Sequence, residues 1–160
     1  MHGCVVIMGT FAKEAPLFEI VIRRYEKPYQ ISKRALCKRI CLSIGLLQPG
    51  DSRDSVVDVL HALLEARKGQ KWLSARDLTE QVKVLRKDAG LPLLGVHESN
   101  IRRQLRRFRE LFLVERLRAK YRIAEGQGLA ELFEQKVEKF LIEQTLQRVK
   151  DYLRLADEQF

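Results

Sequence analysis

The segment from 97 to 113 constrains this chain more than any other, because apolar residues recur through it at a single helical period and five of its other residues are arginines. The apolar residues are Ile101, Leu105, Phe108 and Phe112. Positions three and four apart share one face of an α-helix, so the spacing predicts a helix from about His97 to Leu111 with this stripe in a core. The opposite face must then point to solvent. It carries Ser99, Arg103, Arg106, Arg107 and Glu110, with Asn100 and Arg102 on its flanks.

The positive charge of the chain is concentrated in the same region. The formal net charge is +9, and residues 97–122 contain nine Lys or Arg against three acidic residues, whereas residues 123–160 contain five against eight. Such a cluster indicates an anionic partner. The competing interpretation is a solvated helix face paired with Glu98, Glu110 and Glu115. It is weaker because three carboxylates cannot neutralise nine cations.

Helix caps and apolar periodicity predict the elements around this segment. Ser32 is expected to cap a helix that runs to about Leu47, with an inward stripe of Leu36, Ile40, Ile44 and Leu47. Further helices are expected from Asp51–Ser55 to about Lys68, from Ser74 to Gly90, and from Leu129 to about Leu155. Residues 17–25 favour a short strand, with a short helix as the alternative. The bases Lys33, Arg34, Lys38 and Arg39 lie off the first stripe, and we interpret them as a solvated face in preference to a second phosphate-contacting surface.

A hairpin is predicted directly after the basic helix. Two short β-like runs, 113–116 and 121–124, flank a basic tip at 117–120. Alternate residues of a strand face opposite ways, so the four cations Arg116, Arg118, Lys120 and Arg122 cannot all point to one surface.

The order helix, short strand, helix, loop, helix and hairpin over residues 55–124 resembles a winged helix-turn-helix domain of small prokaryotic and archaeal regulators. The stretch that carries the resemblance is GVHESNIRRQLRRFRELFLVERLRAKYRIAE, residues 95–125. It contains a glycine turn, a polar start to the recognition helix, a Leu/Phe stripe, a Leu-Val-Glu-Arg strand, a basic wing and a Tyr-Arg-Ile return strand. Two features depart from the family pattern. Phe112 stands where the family often has Gly, and the loop Gly90–Val96 is long where a tight turn is usual.

The resemblance implies a mainly α fold with a small β-hairpin wing, and a transcription regulator that binds double-stranded DNA. Residues 1–50 would be a basic N-terminal segment, 51–125 the winged helix-turn-helix domain and 126–160 a C-terminal amphipathic helix. The N-terminal part of a recognition helix in the major groove usually reaches base edges, so we expect base contacts from Ser99, Asn100 and Arg103. The residues expected to contact phosphate are Arg102, Arg106, Arg107, Arg116, Arg118, Lys120 and Arg122.

The C-terminal helix is predicted to pair with its twin in a homodimer, which would give a two-fold symmetric DNA target. Its apolar side consists of Leu132, Phe133, Val137, Phe140, Leu141, Leu146, Val149 and Leu153. The alternative is that this helix folds back and covers its own domain. We favour the dimer, because a domain of about 70 residues has little surface to hide so long a helix.

Cysteine usage and missing motifs limit the remaining function classes. Three cysteines, an odd number without secretory features, indicate a reducing cytoplasmic setting. We interpret Cys37 and Cys41 as small buried apolar groups and not as metal ligands. No metal or cofactor is expected. No apolar run approaches about 18 residues, so no membrane span is expected. We find no phosphate-binding, nucleophile-elbow or zinc-protease motif, which argues against an enzyme.

Two binding functions compete with DNA recognition. A winged helix can also serve as a protein-interaction module that docks on an acidic partner in the basal transcription or replication machinery. RNA binding ranks lower, because the chain lacks clusters of aromatic residues of the kind that stack on bases.

Overall fold

The computed structural model describes residues 29–160, which fold into helices around a small antiparallel sheet. The first part contains α1 (Lys33–Ser43), α2 (Ser55–Arg67), β1 (Leu73–Ser74), α3 (Ala75–Asp88) and α4 (Glu98–Glu110). The hairpin strands β2 (Val114–Leu117) and β3 (Lys120–Ile123) follow, then a single 3-10 turn (Ala124–Gly126). The C-terminal helix consists of α5 (Leu129–Leu132), a wider i→i+5 segment (Phe133–Ile142) and α6 (Glu143–Gln159). A mainly α fold with a small β element is thus confirmed, while the strand expected at 17–25 lies outside the described residues.

Two of the helices begin at the serines that the sequence marked as caps. The Ser32 hydroxyl accepts a hydrogen bond from the Ala35 N–H at 3.2 Å. At α3 the Ser74 hydroxyl accepts from the Asp77 N–H at 3.1 Å, and the Asp77 carboxylate accepts from the Ser74 N–H at 2.9 Å. This reciprocal pair satisfies amide groups that the first helical turn leaves without partners. Both predicted caps are confirmed.

The three strands pair in the order β1–β3–β2, and all pairs are antiparallel. In the hairpin Val114 lies opposite Ile123 and Leu117 lies opposite Lys120. Only Arg118 and Ala119 remain for the turn, and their φ angles are +46° and +63°. Two successive positive φ values match a type I′ turn, whose twist suits a hairpin but which usually contains Asn-Gly.

Ala119→Gly is expected to raise the free energy of unfolding by about 1 kcal/mol, because Gly adopts the left-handed region without the steric cost of a Cβ. Denaturant unfolding of the variant measures this. The same substitution at Ala130, an exposed residue of α5, should lower stability by about 1 kcal/mol, because there Gly replaces a good helix former. A loss of stability in Ala119→Gly would contradict the turn geometry.

One hydrophobic core joins all the elements before the C-terminal helix. Its fully buried side chains include Leu60 and Leu63 of α2, Leu78 and Val82 of α3, Ile101, Leu105 and Phe108 of α4, and Ile123 of β3. Cys37 and Cys41 of α1 are buried in the same core, which confirms their interpretation as small buried groups. The described part of residues 1–50 therefore shares the core of residues 51–125 instead of forming a separate module.

The inward face of α1 differs from the predicted stripe. Leu36 is 47% exposed, while Cys37 and Cys41 are buried and Ile40 is only partly buried. The helix is turned so that Arg34 reaches two carboxylates, those of Asp54 directly before α2 and of Asp58 within it. The prediction that Arg34 lies on a solvated face is therefore wrong: an ion pair, which periodicity does not reveal, sets the orientation of the helix.

Phe112 does not belong to the core stripe of α4. Its side chain is 42% exposed, and its backbone has φ +56°. The Phe112 N–H donates to the Arg109 carbonyl at 2.9 Å and the Leu113 N–H donates to the Phe108 carbonyl at 3.0 Å, the pattern that ends a helix with a left-handed residue. Glycine is the usual residue at such a position. The expected stripe therefore holds for Ile101, Leu105 and Phe108 and fails at the fourth residue.

The C-terminal helix contacts its own chain only over its first part. Leu132 belongs to the main core and Val137 is also buried, so these two residues are not free to contact a partner. Phe133 and Leu141 are half-buried. Phe140 is exposed and packs edge-on against Phe112, with 6.2 Å between ring centroids. The predicted apolar face thus divides into an intrachain part and an exposed part that contains Leu146, Val149 and Leu153.

Among residues 29–160, the helices are all too short or too polar to cross a membrane.

Candidate nucleic-acid interface

The outer face of α4 is exposed and basic, as its periodicity predicts. Ser99, Arg102, Arg103, Arg106 and Arg109 are all exposed. On the core side of the same helix, the apolar stripe and the amide of Gln104 are buried. Arg109 was not among the predicted contacts, although it lies beside Arg102 and Arg106 on the helical projection.

The basic face of α4 continues onto the hairpin. The guanidinium of Arg102 lies close to the Tyr121 hydroxyl, and its pKa is raised chiefly by a hydrogen bond to Glu98. The guanidinium of Arg116 lies over the ring of the same tyrosine, 5.9 Å from its centroid. One buried tyrosine of β3 therefore contacts a cation from α4 and a cation from β2. The helix face and the base of the hairpin form one surface.

The hairpin tip extends this surface with free cations. Arg116, Arg118 and Lys120 are exposed, and within residues 29–160 the Arg118 side chain has no ion pair or hydrogen bond. Arg106 and Arg109 are likewise unpaired among these residues. Unpaired arginines retain all their N–H donors for a ligand.

Asn100 is occupied inside the protein. Its amide nitrogen donates to the Gly95 carbonyl at 2.6 Å and to the Ser55 hydroxyl at 3.1 Å. Its amide oxygen accepts from Arg103 at 2.9 Å and from Gln104 at 3.4 Å. These bonds hold the loop before α4 against the start of α2. We therefore revise the prediction that Asn100 reads bases and assign it to positioning the helix.

Arg107 and Arg122 are also bound within the chain. Arg107 donates to the Gln104 side chain at 3.0 Å and to the Gly45 carbonyl at 3.2 Å, which links α4 to the turn after α1. Arg122 donates to Glu115 at 2.5 Å and lies over the Trp72 ring at 4.4 Å. Both side chains are half-buried, so phosphate binding would require them to leave these contacts. Of the predicted phosphate contacts, these two fit least well.

A groove of about 950 Å³ runs along the other edge of α4. Leu46, Leu47 and Val56 line its apolar side, while Arg53, Arg103 and Arg107 line its basic side. Arg53 comes from the segment between α1 and α2, and it is exposed. Sequence reasoning missed Arg53, because a lone arginine in a stretch of helix-cap candidates carries no local signal.

A buried ion cluster positions the elements behind α4. Arg86 of α3 is 1% exposed, and its Nη1 donates to Asp58 at 2.6 Å and to Asp54 at 3.0 Å. Arg34 of α1 donates to the same two carboxylates at 2.8 Å each. Arg86 Nε also donates to the Pro92 carbonyl at 2.8 Å, in the loop that leads to α4. Two arginines and two aspartates thus connect three helices and this loop.

One feature of the sequence indicates the buried ion cluster, namely the position of Arg86 on its helix. Leu78, Val82 and Arg86 recur at intervals of four along α3, so the arginine falls on the apolar side of its helix. A charged residue on an inward face needs a buried partner of opposite charge. The two aspartates cannot be identified from the sequence because they lie 32 and 28 residues away along the chain. The contact with Pro92 depends on how the loop before α4 folds back on α3.

The two cysteines of α1 are poorly suited to redox or metal chemistry. Burial raises the pKa of the Cys37 thiol to about 11 and that of Cys41 to about 12. The reactive thiolate form is therefore scarce at neutral pH. In the part of the chain that the structure describes, no group of three His, Cys, Asp or Glu side chains is arranged to hold a metal ion.

Comparison with known proteins finds no family model that matches the chain, no similar curated protein and no similar solved structure.

Proposed function

We propose that this chain binds double-stranded DNA as a transcription regulator, with α4 as a recognition helix in the major groove and the β2–β3 hairpin as a wing. The observation that carries the proposal is the continuous exposed surface formed by the outer face of α4 and the hairpin. Its cations are Arg102, Arg103, Arg106, Arg109, Arg116, Arg118 and Lys120. The major groove is about 12 Å wide and admits one α-helix, and phosphates on both sides attract such cations.

The chain topology supports the assignment of a winged helix-turn-helix. A helix, a short strand, two further helices and a hairpin follow each other, and the first strand pairs with the last to give the order β1–β3–β2. The long loop between α3 and α4 is held at Pro92 by Arg86 and at Gly95 by Asn100. It can therefore present α4 in one orientation despite its length.

The geometry revises the contacts that we propose. Ser99 and Arg103 remain the candidates for reading bases, because both are exposed in the N-terminal half of α4. Arg102, Arg106, Arg116, Arg118 and Lys120 remain candidates for phosphates. Arg109 and Arg53 join them, since each is exposed at an edge of the same surface.

A homodimer is part of this proposal. Two copies joined through their C-terminal helices would present two recognition helices to a two-fold symmetric DNA site. The C-terminal helix suits this role, because α6 has no buried residue in the single chain.

DNA binding can be tested with genomic fragments, including the chain's own promoter, over a series of salt concentrations. We expect one fragment to bind well above the rest. Arg103→Ala should remove about 1–3 kcal/mol of that preference, because a base contact contributes to discrimination. Arg106→Ala should weaken all fragments alike and reduce the salt slope by about 1, as expected for one lost phosphate contact.

Arg154→Ala is the matched control for both variants. It removes the same charge from an exposed position on α6, away from the proposed interface, so neither affinity nor salt slope should change. If no fragment binds at about 100 mM salt, or if all three variants behave alike, the basic surface does not read DNA. A module that docks on an acidic protein partner would then become the leading explanation.

A further inference from the structure

The last segment of the chain is a helix without any intrachain support. Every residue from Glu143 to Phe160 is exposed, although the segment contains Leu146, Val149 and Leu153 with about half or more of their surface in solvent. An isolated helix of 17 residues is only marginally stable in water. Half-exposed aliphatic side chains on such a helix indicate a surface that is covered by a partner.

The apolar residues of this segment are spaced for one particular kind of partner. The intervals between Ile142, Leu146, Val149, Leu153, Ala156 and Phe160 alternate between four and three residues. This spacing is the a/d seam of a coiled coil, in which each side chain inserts between four residues of a second helix. We call these six residues the α6 seam. It differs from the predicted dimer face, because Leu132 and Val137 are buried within the chain and Ile142, Ala156 and Phe160 take part.

We propose that the α6 seams of two copies of this chain form a parallel, in-register coiled coil. The inference rests on the homodimer proposed above and adds its orientation and contact residues. It does not depend on DNA binding. The two-fold axis would run along the coil, so both DNA-binding domains would lie at the same end, next to residue 142.

The charges beside the seam favour the parallel arrangement. On one flank the residues are Glu143, Lys150 and Asp157, and on the other they are Thr145, Tyr152 and Gln159. In a parallel coil residues of opposite flanks meet, so Lys150 faces Thr145 and Asp157 faces Tyr152. No like charges meet within residues 142–160.

An antiparallel coil makes residues of the same flank meet. With the whole seam overlapped, Lys150 would lie beside Lys150 of the other copy, and Glu143 would lie beside Asp157. Every charged residue of this flank would then lie beside a like charge. Shifting the helices by one heptad places Lys150 beside Glu143 or Asp157 of the other copy, but it leaves about a third of the seam uncovered. Within residues 142–160, the parallel arrangement alone covers all six seam residues without a like-charge pair.

The seam can be tested by comparing the same substitution at two neighbouring leucines. Leu153 lies in the seam and Leu155 lies outside it, and both are substantially exposed in the single chain. By sedimentation without DNA, we expect the unmodified chain to be a dimer. Leu153→Glu should raise its dissociation constant about 100-fold, and Leu155→Glu should leave it within about 3-fold. A monomeric chain, or equal effects of the two variants, would overturn the proposal.

The orientation can be tested by disulfide formation in a Cys4→Ser background. In a parallel coil Leu146→Cys lies next to its own counterpart and should form a covalent dimer under mild oxidation. In the fully overlapped antiparallel coil it lies beside residue 156 of the other copy, about 15 Å from its counterpart along the axis. It would then cross-link to Ala156→Cys and not to itself, which would overturn the parallel arrangement. A cross-linked dimer that fails to bind DNA would refute the proposed function and leave this inference intact.

Discussion

Arg86→Met is expected to lower the free energy of unfolding by about 3–5 kcal/mol, because it leaves two buried carboxylates with a single arginine. Asp58 is fully buried and Asp54 nearly so. The Pro92 carbonyl also loses the donor that holds the loop before α4. Since small domains have only about 5–15 kcal/mol of stability, a loss of this size would be large. Denaturant unfolding followed by circular dichroism measures it.

Lys83→Met is the matched control on the same helix. Lys83 donates to Glu80 at 2.8 Å, but both side chains of this pair are substantially exposed. Exposed ion pairs contribute about 0–1 kcal/mol, so this variant should unfold almost like the unmodified chain. Equal losses in the two variants would show that the buried cluster contributes no more than a surface pair.

A double-mutant cycle separates the ion pair from the packing of the arginine. Arg86→Met combined with Asp58→Leu removes one charge of each sign and leaves Arg34 with Asp54. The double variant should therefore be more stable than the sum of the single losses predicts, with a coupling of about 1–3 kcal/mol. Additive losses would mean that Arg86 contributes through its volume alone.

Because of the same cluster, the free energy of unfolding is expected to depend on pH in the acidic range. Burial acts to raise the pKa of Asp54, but hydrogen bonds from Arg34 and Arg86 outweigh it, and the pKa lies below its ordinary value of 3.8. The unfolded chain therefore binds protons before the folded chain does. The stabilisation is complete above about pH 4 and is lost as the pH falls through the lowered pKa of the folded state. In Arg86→Met acid unfolding should begin at a higher pH.

Phe108→Ala is the second substitution with a large expected effect, a loss of about 3–5 kcal/mol of unfolding free energy. Phe108 is fully buried on the inward face of α4, directly behind the basic surface. Truncation removes a large buried apolar group and leaves a cavity that the surrounding helices can only partly fill. Calorimetry should show a lower unfolding temperature.

Phe140→Ala provides the comparison, since it truncates a phenylalanine that is more than half exposed. Its ring contacts Phe112 edge-on, and such an aromatic contact contributes about 0.5–1.5 kcal/mol beyond the area it buries. We expect a loss of about 1 kcal/mol. If Phe140→Ala proved as destabilising as Phe108→Ala, the assignment of Phe108 to the core and of Phe140 to the surface would be wrong.

Local patterns in the sequence were enough to place most of the helices. The Ser32 and Ser74 caps, the apolar stripe of Ile101, Leu105 and Phe108, and the hairpin after it depend on neighbours within a few residues. Such interactions recur wherever the same spacing occurs. The exposed face of α4 then follows, because a helix that buries one stripe presents the other side to solvent.

The tertiary structure decided which polar side chains remain free. Arg34, Asn100, Arg107 and Arg122 were expected at solvent or at DNA, and each is bound to groups of the same chain. Arg53 was not selected, and it lines the groove beside α4. Periodicity assigns a residue to a face of its own element, but it does not identify the hydrogen-bond partners that other elements supply, as with Arg34 and Asp54, which are 20 residues apart.

For the long C-terminal helix, the sequence likewise predicts the helix but not which of its apolar residues are buried. Its apolar spacing alone determined that a long amphipathic helix would form after residue 128. Only the tertiary structure shows that Leu132 and Val137 are buried within the chain while Leu146, Val149 and Leu153 are exposed. The physical reason is that an apolar stripe favours burial but does not determine which surface covers it. Which surface covers it depends on where the core ends, and that is a property of the assembled helices and not of any one segment.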